Sequence, residues 1–416
     1  MKNFYKPFSG ESKAQMATFA LLIGCALLSL AGDKNWPGFR GLAQSSCSDK
    51  NLPLNWTIET VPTWRSQLAG IGQSSPVVWE DQVYITSVEG PNKETLHLES
   101  FEVATGKKLW SKTWGSSFPE KDSDYISKAA PTPVVDVDRL YVLFESGDLI
   151  ALSHKGEELW RRELTKDYGK FEGNHGQASS PVLTDDGVII LVDQKAQSFI
   201  ASFDKNSGET QWKTDRDTST AWSTPIVLNR GGRTEVITSA SGSLTAYDPK
   251  NGKELWTHLD LDGNNVPSPS TDGNLFLIGS RKKGANLAIR AGDAKTEVAW
   301  IAEDATSAFG SPLIHAGRAY YVSDAGIAFC YRLETGEPLW DERIGDGTWA
   351  SPLAAGDRVY FFGKNGKTTV IKPSDSFESI AENEIEVDPK DRVYGYAVAD
   401  GKFIMRLGGE LVCLAR

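Results

Sequence analysis

Short apolar runs separated by turn residues cover most of the chain. The runs are rich in β-branched and aromatic residues, and pairs of Gly, Asp or Asn separate one run from the next. Residues 312–317 and 318–322 form one such pair of runs, and residues 352–356 and 358–362 form another. Short runs split by tight-turn residues predict β-hairpins. The pattern therefore predicts an all-β protein built from many short antiparallel strands.

Tryptophans recur at the end of successive sequence units. Their spacings are 50, 52, 44, 44 and 40 residues, and the six residues are Trp110, Trp160, Trp212, Trp256, Trp300 and Trp340. Five of them follow a glycine by four positions, and Thr296 replaces the glycine in the unit of Trp300. The five glycines are Gly106, Gly156, Gly208, Gly252 and Gly336. A fixed period with one aromatic residue per unit indicates a repeat architecture.

Each unit begins with a serine or threonine followed by proline. The seven steps are Ser75-Pro76, Thr132-Pro133, Ser180-Pro181, Thr224-Pro225, Ser268-Pro269, Ser311-Pro312 and Ser351-Pro352, and an eighth unit has Tyr396-Ala397 at this place. Two predicted strands, a third strand, a glycine turn and the tryptophan strand follow each step. Four antiparallel strands in each of eight units predict an eight-bladed β-propeller.

The two ends of the chain complement each other. The last unit, roughly residues 394–414, ends after its third strand, and residues 61–68 around Trp64 supply an unassigned strand near the N-terminus. We expect the Trp64 segment to complete the last blade, because closing the ring removes an open sheet edge. Seven blades remain the alternative if this closure does not form. Residues 377–380 lack the expected tryptophan, so that blade is expected to pack less well.

The N-terminal residues are typical of an export signal. A basic stretch leads into an apolar run that ends in a small-residue cleavage pattern at Ala31. Residues 1–31 are therefore predicted to be a signal peptide, residues 32–60 an N-terminal extension, and residues 61–416 the propeller. Two alternatives remain, namely acylation of Cys25 within a lipobox-like sequence and a retained membrane anchor.

Net charge limits the classes of partner, and cysteine content limits disulfide bonding. The formal net charge is −11, and an acidic surface repels phosphate groups, which argues against nucleic acid as a partner. The odd number of cysteines after residue 31 excludes a complete disulfide framework. Cys330 and Cys413 occupy matching places in different units, so we expect them to be small core residues.

The repeat resembles the docking motif of PQQ-like β-propeller repeats. Residues 246–256, from Ala246 through Gly252 to Trp256, match that motif best, and residues 335–340 and 105–110 also match it. Residues 36–41 are similar to the start of many secreted bacterial members. The resemblance implies a propeller over roughly residues 60–414, with Trp64, Trp110, Trp160, Trp212, Trp256, Trp300 and Trp340 as structural docking residues. Two functions are common in this superfamily, a quinoprotein dehydrogenase and a non-catalytic assembly scaffold.

Candidate catalytic chemistry is sparse. The resemblance implies an adjacent cysteine pair beside the cofactor in quinoprotein alcohol dehydrogenases, and the sequence has none. The aspartate pairs at residues 185–186 and 122–124 are typical of turns. His175 differs from the other histidines because it lies in a polar, glycine-containing loop just before a first strand. We therefore predict no catalytic, cofactor or metal site in the chain.

The positions three residues before each strand-opening proline are predicted to ring one mouth of the central channel. They are Gln73, Ala130, Ala178, Trp222, Val266, Phe309, Trp349 and Tyr394. The aromatic members form either a binding platform or a packed plug of the channel. The candidate ligand- or partner-binding residues are Gln73, Lys128, His175, Gln177, Trp222, Phe309, Trp349 and Tyr394.

Together these observations favour an exported, monomeric scaffold in the periplasm or outside the cell. It would bind a protein or glycan partner of the bacterial cell envelope through its rim and central funnel. Membrane association is expected only if Cys25 is acylated. The alternative is a quinoprotein dehydrogenase that uses PQQ with calcium to oxidise an alcohol or sugar, and no cofactor is expected otherwise.

Overall fold

The computed structural model describes residues 1, 34–57, 62–123, 127–172, 175–195, 197–217, 219–240, 242–292 and 295–416. The predicted signal peptide, apart from Met1, and the alternative acylation site at Cys25 lie outside the described residues. Neither of the two helices in the described part of the chain approaches the length and apolarity that a bilayer crossing requires.

Eight four-stranded antiparallel sheets form the blades of a propeller, which confirms the predicted fold class. In order from the inner to the outer strand, blade 1 has β3 (Val77–Trp79), β4 (Gln82–Glu89), β5 (Thr95–Glu102) and β6 (Lys108–Gly115), and blade 2 has β7 (Val134–Val135), β8 (Leu140–Leu143), β9 (Asp148–Leu152) and β10 (Glu158–Glu163). Blade 3 has β11 (Val182–Leu183), β12 (Gly187–Asp193), β13 (Ser198–Asp204) and β14 (Thr210–Arg216), and blade 4 has β15 (Ile226–Arg230), β16 (Arg233–Ala240), β17 (Ser243–Tyr247) and β18 (Glu254–His258).

The second half of the chain repeats this order. Blade 5 has β19 (Ser270–Thr271), β20 (Leu275–Ile278), β21 (Leu287–Ala291) and β22 (Thr296–Ile301), and blade 6 has β23 (Leu313–His315), β24 (Arg318–Val322), β25 (Ile327–Arg332) and β26 (Pro338–Arg343). Blade 7 has β27 (Leu353–Ala355), β28 (Arg358–Phe362), β29 (Lys367–Ile371) and β30 (Ser379–Glu384), with β1 (Ser46–Cys47) parallel to β27. Blade 8 has β31 (Val393–Ala399), β32 (Lys402–Leu407), β33 (Glu410–Leu414) and, as its outer strand, β2 (Trp64–Gln67). The two short helices are α1 (Arg40–Ala43) and α2 (Leu164–Tyr168).

Burial changes from the middle to the outer edge of each blade. Every residue of β12 is buried, whereas half-buried and exposed residues alternate along most of β14. Middle strands have a neighbouring blade on both faces, so both faces are buried and their sequences are continuous apolar runs. Outer strands lie at the rim and regain the two-residue alternation of a half-exposed sheet.

Six of the seven docking tryptophans reach the turn before the outer strand of the next blade. Six indole Nε1–H groups donate to backbone carbonyls there at 2.8–3.3 Å, and the pairs are Trp64–Val103, Trp110–His154, Trp160–Lys205, Trp212–Pro249, Trp300–Leu333 and Trp340–Ser374. The rings of all of these except Trp340 lie against the turn glycines. Each of these turn glycines contacts the indole of the preceding blade. The tryptophan four residues later contacts the following blade, so the glycine and tryptophan of one unit link it to both neighbours.

Trp256 faces the unit that has Thr296 in place of glycine, and its contacts differ accordingly. Its Nε1–H donates to Glu235 of its own blade at 3.1 Å, and the Arg230 guanidinium lies over its ring at 5.7 Å from the centroid. Arg230 also donates to the Ala291 carbonyl of blade 5 at 2.7 Å. An arginine thus provides the link between blades where the glycine turn is missing.

Replacing Gly208 with alanine tests the ring-on-glycine contact. A Cβ at Gly208 would lie 2.6 Å from the Trp160 ring, and the residue has a φ of +71°. Gly231 has a φ of +59° with nothing within 4 Å, so it isolates the backbone cost of a positive φ. We expect G208A to lower the free energy of unfolding by about 1–3 kcal/mol more than G231A, because the ring must shift. Equal losses in urea unfolding would contradict the contact.

The Ser/Thr-Pro steps form a chain of six hydrogen bonds around the channel, from blade 1 to blade 7. The backbone N–H of each of the first six steps donates to the hydroxyl of the next at 2.9–3.0 Å, through Ser75, Thr132, Ser180, Thr224, Ser268, Ser311 and Ser351 in turn. These residues are buried, so each hydroxyl satisfies an N–H that would otherwise be costly to leave unpaired. The recurrence of serine and threonine therefore has a direct structural reason.

The ring of eight blades is closed by the N-terminal strand β2. β2 pairs with β33 in antiparallel register, with Trp64 opposite Cys413. Trp64 is buried and packs against Gly106 of blade 1. Arg406 of blade 8 reinforces this junction, because it donates to the Ser74 hydroxyl and the Thr86 carbonyl of blade 1 at 2.7 Å. The structure therefore has eight blades and not the alternative seven.

Residues 35–47, which we call the N-terminal plug, enter the channel from the base. The base is the side on which each inner strand turns into the second strand. Asn35 accepts a hydrogen bond from Glu80 N–H in the base turn of blade 1 at 2.6 Å. Trp36 then pairs with Val78 in an isolated bridge. Arg40, Gly41 and Ala43 have φ values of 59°, 69° and 63°, so α1 is a left-handed turn that reverses the chain.

Arg40 lies at the centre of the plug. Its side chain is buried and donates to the Pro269 and Pro312 carbonyls at 3.2 Å and to the hydroxyls of Ser45 and Ser270. Burial lowers the pKa of Arg40 to about 10, so the guanidinium remains charged at neutral pH. Carbonyl and hydroxyl oxygens of blades 5 and 6 and of the plug itself thus bind this charge, and no carboxylate of the described residues forms an ion pair with it.

At the end of the plug, β1 runs alongside β27. The chain that follows packs between blades 7 and 8. Ala381 occupies the tryptophan position of blade 7, opposite Val370. Trp56 of the extension is buried there, with its backbone N–H on Asn383 at 2.8 Å and its ring 5.9 Å from that of Phe403. The expected weak packing of this blade is therefore compensated by an indole from outside the repeats.

Both matched cysteines are core residues. Cys330 and Cys413 are fully buried and Cys47 is half-buried, and none of the three is in a disulfide bond. Burial raises the pKa of both the Cys330 and Cys413 thiols to about 12. These two thiols therefore stay protonated at neutral pH and act as small apolar side chains.

Candidate functional site

The eight positions before the inner strands converge on one cavity, which we call the cup. It lies at the mouth of the channel, opposite the base, and has a volume of about 800 Å³. All eight predicted positions line it and all are half-buried, namely Gln73, Ala130, Ala178, Trp222, Val266, Phe309, Trp349 and Tyr394. They converge because seven of them lie the same distance before an inner strand, and Tyr394 has the matching position near the start of β31. The Ser/Thr hydrogen bonds hold the inner strands of blades 1 to 7 at one level.

Aromatic rings form one wall of the cup. Phe309 stacks on Trp349 with ring centroids 4.6 Å apart and planes 7° apart, and Tyr394 meets Trp349 edge-on at 5.6 Å. On another side, Trp222 packs against His175 at 5.4 Å and donates to the Gly176 carbonyl at 2.9 Å. Burial raises the pKa of Tyr394, so its hydroxyl remains a neutral donor. The rings pack on one another and still leave an open cavity.

The remaining lining is small or polar. Ala130 and Ala178 leave space on the side of blades 2 and 3, while Gln73 and Asn265 present amide groups. Arg281 and Lys282 approach from the loop between β20 and β21, and Lys282 forms an ion pair with Asp262. No acidic residue is found among the described residues that line the cup.

Two of the predicted residues do not line the cup. Gln177 is fully buried, and its amide donates to the Leu191 carbonyl at 2.7 Å. Lys128 is half-buried and directed to the Ser123 carbonyl at 2.8 Å and the Asp122 carboxylate at 3.2 Å. Both side chains support the loops that carry neighbouring lining residues.

Several lining residues were not predicted from the sequence. They are Ser127, Gly263, Asn265, Arg281, Lys282 and Ala308. Asn265 and Ala308 directly precede predicted positions, so a wider window around the repeat position would have included them. Arg281 and Lys282 lie in a loop whose length differs between blades, and the repeat gives no signal for them.

Other candidate chemistry lies outside the cup. His154 contacts the Tyr84 hydroxyl at 3.0 Å and His258 contacts Thr296 at 3.0 Å, both on blades. Asp185 and Asp186 lie at a separate pocket between blades 3 and 4. Within the described ranges, no group of three or more His, Cys, Asp or Glu side chains is arranged to hold a metal ion.

A calcium-bound quinone does not suit this lining. Calcium takes six to eight oxygen ligands, usually with carboxylates among them. The described lining side chains offer oxygens only from Gln73, Ser127, Asn265 and Tyr394, and none of these is a carboxylate. The cup is instead a partly apolar cavity with a few polar groups, which is the usual character of a binding pocket.

Comparison with known proteins supports the repeat assignment. The family described as outer membrane protein assembly factor BamB matches residues 61–174 and 97–342, which together span more than half of the chain. No curated protein matches the chain in sequence.

Solved structures share the fold at low sequence identity. BamB from Moraxella catarrhalis superposes with a TM-score of 0.63 at 16% identity, covering 86% of this chain and 97% of that one. The quinohemoprotein alcohol dehydrogenase from Comamonas testosteroni gives 0.64 at 12% identity, with coverages of 94% and 82%. Sqt1 from Saccharomyces cerevisiae gives 0.60 at 11% identity, with coverages of 86% and 98%. With its repeat, its eight blades and this match, the chain belongs to the PQQ-like propeller family described as outer membrane protein assembly factor BamB.

Proposed function

We propose that the protein is an exported, non-catalytic scaffold of the bacterial cell envelope that binds a segment of a partner protein in the cup. The observation that carries this proposal is the convergence of eight half-buried positions, four of them aromatic, on one open cavity of about 800 Å³. Half-buried aromatic rings around a preformed cavity offer a large contact area at low entropic cost.

The family and the N-terminal sequence support the same proposal. The description of the matching family names an outer-membrane assembly factor. Residues 1–31 have the pattern of a cleaved signal peptide, and acylation at Cys25 would add a membrane anchor. We propose that the protein acts as a monomer, because the ring closes on itself through β2 and leaves no blade incomplete.

Replacing both Trp222 and Trp349 with alanine is the direct test of the cup. Both side chains are half-buried at the mouth, so the double variant is expected to keep the fold while losing partner binding. A photo-crosslinking residue at Ala178 in the cup wall should give one discrete protein adduct in the native envelope. The same residue at Val137, which is 70% exposed in a base turn, should not give it.

The expected result is that the Ala178 adduct disappears in the double variant while circular dichroism is unchanged. An equal adduct from Val137, or an adduct that persists in the double variant, would contradict binding in the cup. A glycan adduct would assign a sugar partner instead. Stoichiometric binding of PQQ with calcium, together with alcohol or sugar oxidation by an artificial acceptor, would establish the dehydrogenase alternative.

A further inference from the structure

The charge of the cup is opposite to that of the whole chain. The protein carries a net charge of −11, yet the charged residues among the described lining are Arg281 and Lys282. Low-dielectric walls strengthen the effect of such charges on a ligand. The cup is therefore electrostatically suited to an anionic group.

Arg281 differs from its neighbours in the loop. Lys282 pairs with Asp262 and Lys283 pairs with Asp304, whereas Arg281 has no carboxylate partner among the described residues. Its guanidinium lies over the Phe309 ring at 5.5 Å from the centroid. Phe309 in turn stacks on Trp349, so a free guanidinium fork stands beside an aromatic surface.

The loop that carries Arg281 is held in place by hydrogen bonds from a buried asparagine. Asn286 is fully buried, and its amide donates to the carbonyls of Ser280, Lys282 and Ala305 at 2.8–3.1 Å. Its side-chain oxygen also accepts the Ser280 N–H at 2.8 Å. A loop fixed in this way presents its charge without a large ordering cost on binding.

We infer that the cup recognises a carboxylate-bearing segment of a partner protein, with the carboxylate on Arg281 and an adjacent aromatic or aliphatic side chain against Phe309 and Trp349. This inference rests on the proposed function and specifies the chemistry of the partner. Arginine binds carboxylates through two parallel hydrogen bonds, and its planar group also stacks on rings. The Asn265 amide lies in the same lining and is suited to the backbone amides of the segment.

Displacement of a fluorescent probe tests this chemistry on the full chain. The probe is 8-anilinonaphthalene-1-sulfonate, which combines aromatic rings with an anion. The competitors are two short peptides with blocked ends, one with glutamate between two phenylalanines and the other with glutamine at that place. We expect the glutamate peptide to displace the probe from the wild-type protein at about tenfold lower concentration, since a charge-assisted hydrogen bond is the stronger one.

Two substitutions separate the charge of Arg281 from general effects. Arg281→Gln should remove the preference for glutamate, whereas Lys283→Gln, which affects a paired lysine outside the cup lining, should retain it. Equal displacement by both peptides in the wild-type protein, or by neither, would overturn the inference. In either case an Ala178 adduct that forms in the wild-type protein and disappears in the double variant would leave the proposed scaffold function standing.

Discussion

Replacing Trp64 with alanine is expected to lower the free energy of unfolding by about 3–5 kcal/mol, the range for loss of a buried tryptophan. Trp64 is 7% exposed, donates to the Val103 carbonyl at 3.0 Å and packs on Gly106 of blade 1. Its loss opens a cavity at the junction between blade 8 and blade 1. The measurement is urea unfolding followed by circular dichroism.

Trp114 provides a matched control for this substitution. It lies on the outer strand β6, is half-buried and donates to Glu158 at 2.7 Å. W114A should lower the free energy of unfolding by about 1 kcal/mol, because the half-buried indole is already partly in contact with water. If W64A unfolded at the same urea concentration as W114A, the closure of the ring would not depend on Trp64.

Replacing Arg40 with alanine should have the second-largest effect, a loss of about 3 kcal/mol. The substitution leaves the Pro269 carbonyl without its buried side-chain donor, removes the Arg40 donor from the Ser45 hydroxyl, and leaves a cavity in the plug. The plug should then detach from the channel. Cleavage by thermolysin near Trp36 and Phe39 should become faster than global unfolding allows.

Arg290 is the matched control, since it is an exposed arginine on β21. R290A is expected to change stability by less than about 0.5 kcal/mol and to leave the plug resistant to thermolysin. A stable R40A protein with an intact N-terminal segment would show that the plug is held by Trp36 and β1 alone.

The repeat made most of the fold predictable. The Ser/Thr-Pro step recurs in seven blades and the tryptophan in all blades but blade 7, because most blades pack against their neighbours in the same way. The position of the cup also followed from this periodicity, since equivalent positions of successive blades share one level of the channel. The hydrogen bonds between successive steps, such as Thr132 N–H to the Ser180 hydroxyl, give the physical reason for that regularity.

The features that were not predicted from the sequence are those that occur once in the chain and are not part of the repeat. Arg40 binds carbonyls contributed by distant blades, and its burial cannot be inferred from its own neighbourhood in the sequence. Trp56 fills a gap left by Ala381 more than three hundred positions away. Arg281 belongs to a loop specific to one blade. Tertiary contacts of single residues carry no periodic signal, and here they shape both the base and the charge of the cup.

The entry of the chain at the base fixes how the molecule can be tethered. Asn35 lies at a base turn, and the aromatic rings face the other way. Any attachment made at Asn35 would therefore be on the face of the ring opposite Trp222, Phe309 and Trp349, and it would leave the cup uncovered.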